Sequence, residues 1–593
     1  MSVHFHHNRH AGATLLDRGH TRFRLWAPSC DAVALEVEGH APAPMARRRG
    51  GWFECVHPCG AGARYRYRVG PGLAVPDPAS CYQPDDVHGP SEVMDPADYD
   101  WQYPRWPGRP WHEVVIYEVH VGLMGGYGGV ARELPRLVAL GVTAIELMPL
   151  SEIPGGRNWG YDGVLPFAPE SAHGHPDELK DLIDRAHGLG LMVFLDVVYN
   201  HFGPDGNYLA AYAAPFFRAD RPTPWGAAID FRQDAVQTFF VDNALYWIME
   251  FRFDGLRLDA VQAMTERTWL AELPARIRAH VEPGRHVHLM VENENNDAGL
   301  LRAGYRAQWN DDAHNALHVL LTGEDESYYG NFAPDPAAAL ARVLAEGFAF
   351  QGEVSPVTRQ PRGSPSADLA PERFIIFLQN HDQIGNRALG ERLNVLAAPQ
   401  ALRAAYGLVL LCPQIPLLFM GEEWGSRQPF LFFTSHTPEL GRIVRDGRRR
   451  EFAGFSHFAS EKTRHLIPDP NAPETFATSQ LRVAEREAPP HAGWLAMIRN
   501  LLALRKAEIM PRLPGARAIG AHVIGPGAVM ARWRMGDGTV LGMALNLGVA
   551  SVAWPDTLRG RCLHAVLPQG TDLFHTILPP DSVVVCLAEG ADE

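Results

Sequence analysis

The sequence predicts an α/β protein built around a central (β/α)8 TIM barrel, with a β-sandwich before it and another after it. Three observations lead to this prediction. The middle of the chain alternates apolar strands with amphipathic helices, eight such strands can be counted, and both ends carry short alternating strands punctuated by Gly and Pro. At 593 residues the chain is too long for one hydrophobic core, so several domains are expected.

Residues 1–95 are expected to form an N-terminal immunoglobulin-like β-sandwich. Segments such as 22–26 and 64–69 alternate polar and apolar residues with the two-residue period of a half-buried strand. A Pro- and Asp-rich stretch, residues 76–107, then leads into the next domain.

Residues 96–514 are expected to form the barrel, with a short insertion after its third strand at about 202–230. Eight strands is the number that closes a barrel of this kind. The segment 176–186 begins with Pro and acidic residues, as a helix start prefers, and 494–506 is expected to be the helix that closes the ring. The candidate strands are residues 114–120, 144–149, 191–198, 255–261, 288–292, 306–310, 374–379 and 416–421.

After residue 515 the pattern returns to strands, at 528–533, 540–545 and 582–586. Residues 515–593 are therefore expected to form a C-terminal β-sandwich.

Charge and cysteine content limit the classes of partner. The formal net charge of −14 repels phosphate backbones, so no nucleic acid is expected and a neutral substrate fits better. Seven cysteines without paired zinc-finger spacing indicate a reducing cytoplasm. We expect no secretion signal, because the N-terminal residues show no basic segment followed by an apolar one, and no membrane span, because no apolar run reaches about 18 residues. We also expect a monomer.

Polar side chains follow five of the candidate strands. In a (β/α)8 barrel these C-terminal strand ends carry the functional residues. The side chains concerned are Asp196, Asn200, His201, Arg257, Asp259, Glu292, Asn380, His381, Asp382, Glu422 and Glu423.

Arg257 and Asp259 are two residues apart on one strand and therefore face the same side. A neighbouring guanidinium favours the ionised carboxylate, so the pKa of Asp259 is expected to fall, as a nucleophile requires. A purely structural buried ion pair is the alternative interpretation.

Glu292 is the natural partner of Asp259, because it ends the next strand. Glycosidases that retain configuration hold two carboxyl groups about 5–5.5 Å apart, which matches the spacing of adjacent strands of about 4.8 Å. Burial and neighbouring carboxylates should raise the pKa of Glu292, as a proton donor requires. Glu294, on the same side of the chain, is the alternative acid/base.

Asp382 would be a third carboxylate, able to stabilise developing positive charge. The alternative is that residues 380–382 form a helix-capping motif. Asp196, likewise, could brace the barrel by hydrogen bonding to Arg257.

Aromatic residues in the loops are candidates for stacking against sugar rings. Trp159 and Tyr161 follow the second strand, and Tyr208, Phe216, Phe217 and Trp225 follow the third. Ordinary packing is the alternative for each of them.

Taken together, four ordered blocks resemble the α-amylase family, glycoside hydrolase family 13: Asp196-Val-Val-Tyr-Asn-His201, Gly255-Leu-Arg-Leu-Asp259, Glu292 and Asn380-His-Asp382. In the first block the Asp lies one position nearer the Asn-His pair than the family pattern has it. Within that family the chain is similar, nearly end to end, to the malto-oligosyltrehalose trehalohydrolases. Residues 158–166, 308–312, 377–387, 420–425 and 467–471 carry this similarity.

The resemblance implies retaining hydrolysis of the α-1,4 bond next to the terminal trehalose of malto-oligosyltrehalose, releasing trehalose and maltodextrin. It also implies functional pairing with a malto-oligosyltrehalose synthase. The nearest alternative is a glycogen branching enzyme, which transfers the cut chain instead of hydrolysing it.

The resemblance also implies roles for individual residues. Asp259 would be the nucleophile, Glu292 the acid/base and Asp382 the transition-state stabiliser, with Arg257 orienting Asp259. The implied substrate-binding residues are Trp159, Tyr161, Asp196, His201, Arg257, Asn380, His381 and Glu423. Glu294 stands where such enzymes more often carry Asp. No cofactor and no required metal are expected, because the insertion at 202–230 lacks a clear carboxylate cluster.

Overall fold

The computed structural model describes residues 3–70, 72–223, 226–568 and 576–590. Eight parallel strands pair in chain order and close into a barrel, which confirms the predicted fold class. The barrel strands are Ile116–Val119, Ala144–Leu147, Met192–Val197, Gly255–Leu258, His288–Val291, Ala307–Trp309, Phe374–Ile376 and Ile415–Phe419.

The barrel strands are buried on both faces, which explains why they appear in the sequence as nearly continuous apolar runs. One face fills the inside of the barrel with side chains such as Phe194, Met290 and Trp309. The other face packs against the surrounding helices. The barrel is therefore a solid core, and the space for a ligand lies at its end.

Helices surround the barrel. The helix after the second strand begins at Pro176, where His175 and Glu178 form a capping box. The last helix of the ring packs against the first, which closes it as predicted. No helix among the described residues is both long and apolar enough to cross a membrane. The main helices are Gly126–Leu140, Pro176–Gly188, Asp234–Leu245, Arg267–Arg278, Ala298–Ala303, Asp311–Thr322, Pro336–Glu346, Pro399–Leu411, Pro438–Glu451 and His491–Leu504.

The N-terminal strands form two antiparallel sheets. Their facing sides bury Phe23, Tyr65 and Tyr67, and both tyrosine hydroxyl groups donate to the buried carboxylate of Asp77. The first sheet contains Gly12–Asp17, His20–Trp26, Trp52–His57 and Ala46–Arg47, and the second contains Ala43–Pro44, Ala34–Val37, Arg64–Arg68, Ala74–Val75 and Ser91–Glu92.

The C-terminal strands form a five-stranded antiparallel sheet and a two-stranded ribbon. Val552 and Leu578 of the ribbon pack on the sheet through Met530 and Val584, so the second layer of the predicted sandwich is small. The sheet contains Arg517–Gly525, Ala528–Arg534, Val540–Asn546, Ser582–Ala588 and Arg561–Val566, and the ribbon contains Val552–Ala553 and Ile577–Leu578. We propose three domains with the boundaries 1–95, 96–514 and 515–593.

Candidate active site

A cavity of about 460 Å³ lies at the C-terminal end of the barrel strands. The three predicted catalytic carboxylates, which are spread over residues 259–382 of the sequence, meet in its wall. The residues singled out from the sequence that line the cavity are Trp159, Tyr161, His201, Asp259, Glu292, Glu294, His381 and Asp382.

Arg257 holds Asp259 and Glu292 together from beneath the cavity. Its guanidinium is fully buried, and Nη1 donates to Asp259 Oδ1 at 2.9 Å while Nη2 donates to Glu292 Oε2 at 2.8 Å. Nη1 also donates to Asp196 Oδ2 at 2.6 Å. The planar fork of an arginine suits several carboxylates at once. One cation therefore positions both proposed catalytic carboxylates.

The backbone brings Asp259 and Glu292 to the same level of the barrel. Leu258 pairs with Val291 in the parallel ladder, so the two acids follow at matching positions. Ala260 then adopts a φ of 39°, a left-handed conformation that is strained for a residue with a side chain. This turn directs the Ala260 N–H at Glu292 Oε2, at 2.9 Å.

Burial dominates the ionisation of both acids. It raises the pKa of Glu292 to about 8, with Asp259 and Asp382 adding to the rise and Arg257 opposing it, as expected from the sequence. Burial also raises the pKa of Asp259 above its usual 3.8, although Arg257 opposes this. The expected fall in the pKa of Asp259 is wrong, because loss of hydration and the nearby Asp196 outweigh the guanidinium.

Asp382 is positioned by a helix cap. The seventh strand ends at Ile376, earlier than predicted, and a short helix spans His381–Gly385. Asn380 Oδ1 accepts from the Asp382 N–H at 2.8 Å, and Gln383 Oε1 accepts from the Asn380 N–H at 2.9 Å. Asn380 is fully buried and does not line the cavity, so its assignment to substrate binding is corrected: it caps the helix that presents Asp382.

The surroundings of His381 favour its protonated form. Burial opposes protonation, but the carboxylates of Asp382 and Glu118 raise the pKa of His381 to about 10. Its Nε2 lies 2.8 Å from the Tyr161 hydroxyl, and the two rings are stacked with centroids 5.2 Å apart. Trp159 packs edge-on against the same imidazole at 5.5 Å.

His201 provides a neutral imidazole on the same wall. Burial lowers its pKa to about 4, and its Nε2 lies 3.0 Å from the Tyr161 carbonyl oxygen. Its other ring nitrogen contacts Asn200 Oδ1. Asn200 in turn donates from Nδ2 to Asp259 Oδ2 at 2.8 Å, which links this wall to the proposed nucleophile.

Two residues that were predicted to bind the substrate lie behind the cavity wall. Asp196 is 1% exposed and accepts from Tyr161 and Arg257, so it braces the site from below. Glu423 is fully buried: it accepts from the Tyr117 hydroxyl at 2.8 Å and forms an ion pair with Arg136. Glu423 does not line the cavity, and the expectation that it binds substrate is therefore wrong.

Three aromatic residues predicted to line the cleft after the third strand, Tyr208, Phe216 and Phe217, do not line the cavity. Phe216 and Phe217 pack against Phe202, and the Tyr208 hydroxyl contacts His88 at 2.7 Å. Trp225 lies outside the described residues.

Two acidic residues of the site were missed by the sequence analysis. Glu118, within the first strand, binds His381, and Asp311, two residues after the end of the sixth strand, lines the cavity. A charged residue inside an apolar strand and an acid close to a strand end were the available signals. In the described part of the chain, no group of three or more His, Cys, Asp or Glu side chains is arranged to hold a metal ion. That no metal is required remains a prediction.

Comparison with known proteins identifies the family. Residues 97–215 match the family model of the alpha amylase catalytic domain, and residues 516–585 match a domain of unknown function, DUF3459. A malto-oligosyltrehalose trehalohydrolase from Deinococcus radiodurans is 43% identical over 507 residues, which cover 84% of this chain and 83% of that protein. The chain belongs to the malto-oligosyltrehalose trehalohydrolase family.

Two further comparisons differ in how much of the chain they cover. A crystal structure from Salmonella typhimurium, provisionally described as an alpha amylase, has a TM-score of 0.92 and 41% identity, and the match covers 98% of this chain and 100% of that chain. A 1,4-alpha-glucan branching enzyme from Nocardia farcinica is 35% identical over 270 residues, which cover 41% of this chain and 36% of that enzyme. The similarity to trehalohydrolases thus extends over much more of the chain than the similarity to the branching enzyme.

Proposed function

We propose that the protein is a retaining glycoside hydrolase. It cleaves the α-1,4 bond next to the terminal trehalose of malto-oligosyltrehalose and releases trehalose and a shortened maltodextrin. Family membership supports the choice of substrate. The observation that carries the chemistry is the binding of Asp259 and Glu292 to the two terminal nitrogens of one buried guanidinium.

In the first step, a carboxylate oxygen of Asp259 attacks the anomeric carbon of the glucose unit that precedes the trehalose. The bond from that carbon to the glycosidic oxygen breaks, and its electron pair stays on the oxygen. Glu292, whose pKa of about 8 keeps it protonated at neutral pH, gives its proton to this oxygen. Trehalose leaves, and the glucan remains as an ester on Asp259.

In the second step, Glu292 is ionised and removes a proton from water. The water oxygen attacks the anomeric carbon, the ester bond to Asp259 breaks, and the two inversions together retain the α-configuration. The negative charge moves from Asp259 to Glu292 and back during this cycle. Because Arg257 donates to both, it stabilises the charge in each state without moving.

The other residues of the cavity bind the sugar whose bond is cut. Asp382 stabilises the positive charge that develops at its ring oxygen and anomeric carbon. The His381 imidazolium and His201 bind its hydroxyl groups, and Tyr161 stacks on its face, with Trp159 supporting His381. In this proposal, Asp196 and Asn380 act through the residues that they position.

We further propose that the protein acts as a monomer in the cytoplasm, on the product of a malto-oligosyltrehalose synthase. All seven cysteines are free thiols, which supports a reducing compartment.

A product assay tests the proposal. The purified protein is incubated separately with malto-oligosyltrehalose, plain maltodextrin and amylose, and the products are separated. We expect trehalose and a shortened maltodextrin from the first substrate, and Asp259→Ala provides the inactive control. New α-1,6 bonds in amylose, without trehalose from malto-oligosyltrehalose, would overturn the proposal in favour of a branching enzyme.

A further inference from the structure

Asp311 lines the cavity together with four other acidic residues, Asp259, Glu292, Glu294 and Asp382, and no step above uses it. It follows the sixth strand, Ala307–Trp309, and is the first residue of the helix Asp311–Thr322. The sixth strand pairs with the fifth, which carries Glu292, and the fifth pairs with the fourth, which carries Asp259. Glu292 therefore stands between Asp259 and Asp311 in the order of the barrel.

The hydrogen bonding of Asp311 does not indicate a structural role. Its Oδ1 accepts one long bond, at 3.3 Å from Gln383 Nε2, and within the described residues Oδ2 has no hydrogen-bond donor. The next residue, Asp312, differs from Asp311 in its hydrogen bonding and in its burial. It is fully buried, and its Oδ2 accepts from Asn296 and from the Ala349 N–H, each at 2.8 Å. Asp312 holds the fold, whereas Asp311 faces the cavity.

The position of Asp311 is electrostatically unfavourable in the free protein. Burial and the carboxylates of Glu292 and Asp382 raise the pKa of Asp311 well above its usual 3.8. An acid kept in a cleft despite such neighbours is typical of a functional position. Sugar hydroxyl groups both donate and accept hydrogen bonds, so they can pair with this side chain whether or not it is protonated.

We infer that Asp311 binds a hydroxyl group of the departing trehalose and is a specificity-determining residue for that leaving group. The inference rests on the proposed function. In that mechanism Asp259 bonds to the sugar that stays, and Glu292 gives its proton to the oxygen that leaves. Asp311 lies between Glu292 and Asp382 in the order of the barrel, and of these two groups Glu292, which contacts the departing oxygen, interacts with it more strongly. The position of Asp311 beside Glu292 and away from Asp259 assigns it to the sugar that departs.

Two substrates with different leaving groups test this inference. Malto-oligosyltrehalose loses a disaccharide, whereas α-maltotriosyl fluoride loses fluoride and needs no sugar-binding contact on that side. For Asp311→Ala we expect kcat/KM to fall about 10- to 100-fold on the first substrate, as for a lost hydrogen bond to a charged or polar group, and to change less than about twofold on the second. Asp311→Asn keeps the side-chain volume and is measured in parallel in case the Ala variant folds poorly.

Asp234→Ala is the matched control. Asp234 is also the first residue of a twelve-residue barrel helix, Asp234–Leu245, but it does not line the cavity. We expect both substrates to be turned over normally by this variant. Equal losses of Asp311→Ala on the two substrates, or no loss on either, would overturn the inference. If the wild-type protein releases no trehalose, the proposed function itself fails, and maltodextrin then replaces malto-oligosyltrehalose in the comparison with the fluoride.

Discussion

Glu118 binds His381 twice, accepting from the ring Nδ1–H and, at 3.2 Å, from the backbone N–H. Both residues are almost completely buried, at 1% exposure each. A carboxylate from the first barrel strand thus sets both the orientation and the charge of an imidazole that follows the seventh.

Glu118→Gln should reduce kcat/KM at pH 7 by about 10- to 100-fold, because a buried charge-assisted hydrogen bond is lost. The pKa of His381 should fall from about 10, so the loss should grow as the pH rises. A pH–rate profile checks this. Glu146→Gln is the control: Glu146 is a buried neighbour that pairs with Glu118 across the strands, its carboxyl oxygens have no hydrogen-bond partner among the described residues, and burial raises its pKa above the usual 4.5. A Glu118→Gln profile that matches the wild type would contradict the prediction.

Glu292→Gln should lower kcat on malto-oligosyltrehalose by about 10²- to 10⁴-fold while substrate binding stays nearly intact, because the amide cannot give up a proton to the leaving oxygen. Glu294→Gln is the matched variant two residues away. Glu294 lines the same cavity, but in the described residues Arg257 contacts Glu292 and not Glu294. Steady-state kinetics and binding measurements compare the two variants. Near-normal turnover by Glu292→Gln would transfer the acid/base role to Glu294.

The activity should fall as the pH rises through about 8, because Glu292 then loses the proton that the leaving group needs. This alkaline limb should be absent from the residual activity of Glu292→Gln.

The ionisation of Glu292 should also affect the stability of the folded protein. Its pKa in the folded protein lies above the usual 4.5, so its stabilising contribution is complete below pH 4.5 and is lost as the pH rises to about 8. Urea unfolding between pH 4.5 and about 8 measures that loss in the wild type and in Glu292→Gln. If the free energy of unfolding depends on pH in the same way in both proteins, this would argue against the raised pKa of Glu292.

Asp259→Ala should abolish the covalent glycosyl intermediate, because the variant has no carboxylate to form the ester. A fluorinated glycosyl substrate, which slows the second step, should increase the mass of the wild-type protein by one glycosyl unit and leave the variant unchanged. Labelling that persists in Asp259→Ala would exclude this residue as the nucleophile.

Arg257→Met should lower the free energy of unfolding by about 3–5 kcal/mol, because three acidic side chains lose the buried cation to which they all hydrogen-bond. These belong to Asp196, Asp259 and Glu292. The comparison is Arg109→Met, which breaks a partly exposed pair with Glu113 and should cost about 0–1 kcal/mol. Urea unfolding at pH 7 measures both, and equal small effects would refute the central role of Arg257.

Much of the barrel could be predicted from the sequence because each strand is buried on both faces and is therefore mostly apolar. Residues 191–198, for example, were predicted as the third strand, which spans Met192–Val197. The seventh strand was predicted too long, since Asn380 and Gln383 form a helix-capping box at its end. Capping competes with strand extension through side-chain hydrogen bonds, which hydrophobic periodicity does not reveal.

The errors in the prediction of the site residues have a common origin. Spacing along a strand indicates the side to which a residue points, and it correctly placed Arg257 and Asp259 on one face. It does not indicate depth. Glu423 was expected in the cavity and is enclosed beside Tyr117, whereas Asp311 was overlooked and lines the cavity wall.

The sequence by itself determined the fold class, the order of the eight strands and the set of acids that could meet at their ends, because these depend on hydrophobic pattern and local spacing. Only the tertiary structure decided that one buried arginine bridges Asp259 and Glu292, and that burial raises the pKa of both acids. The physical reason is that the energy of a charge depends on the water excluded around it and on neighbours brought close by folding, and neither quantity is written in the local sequence.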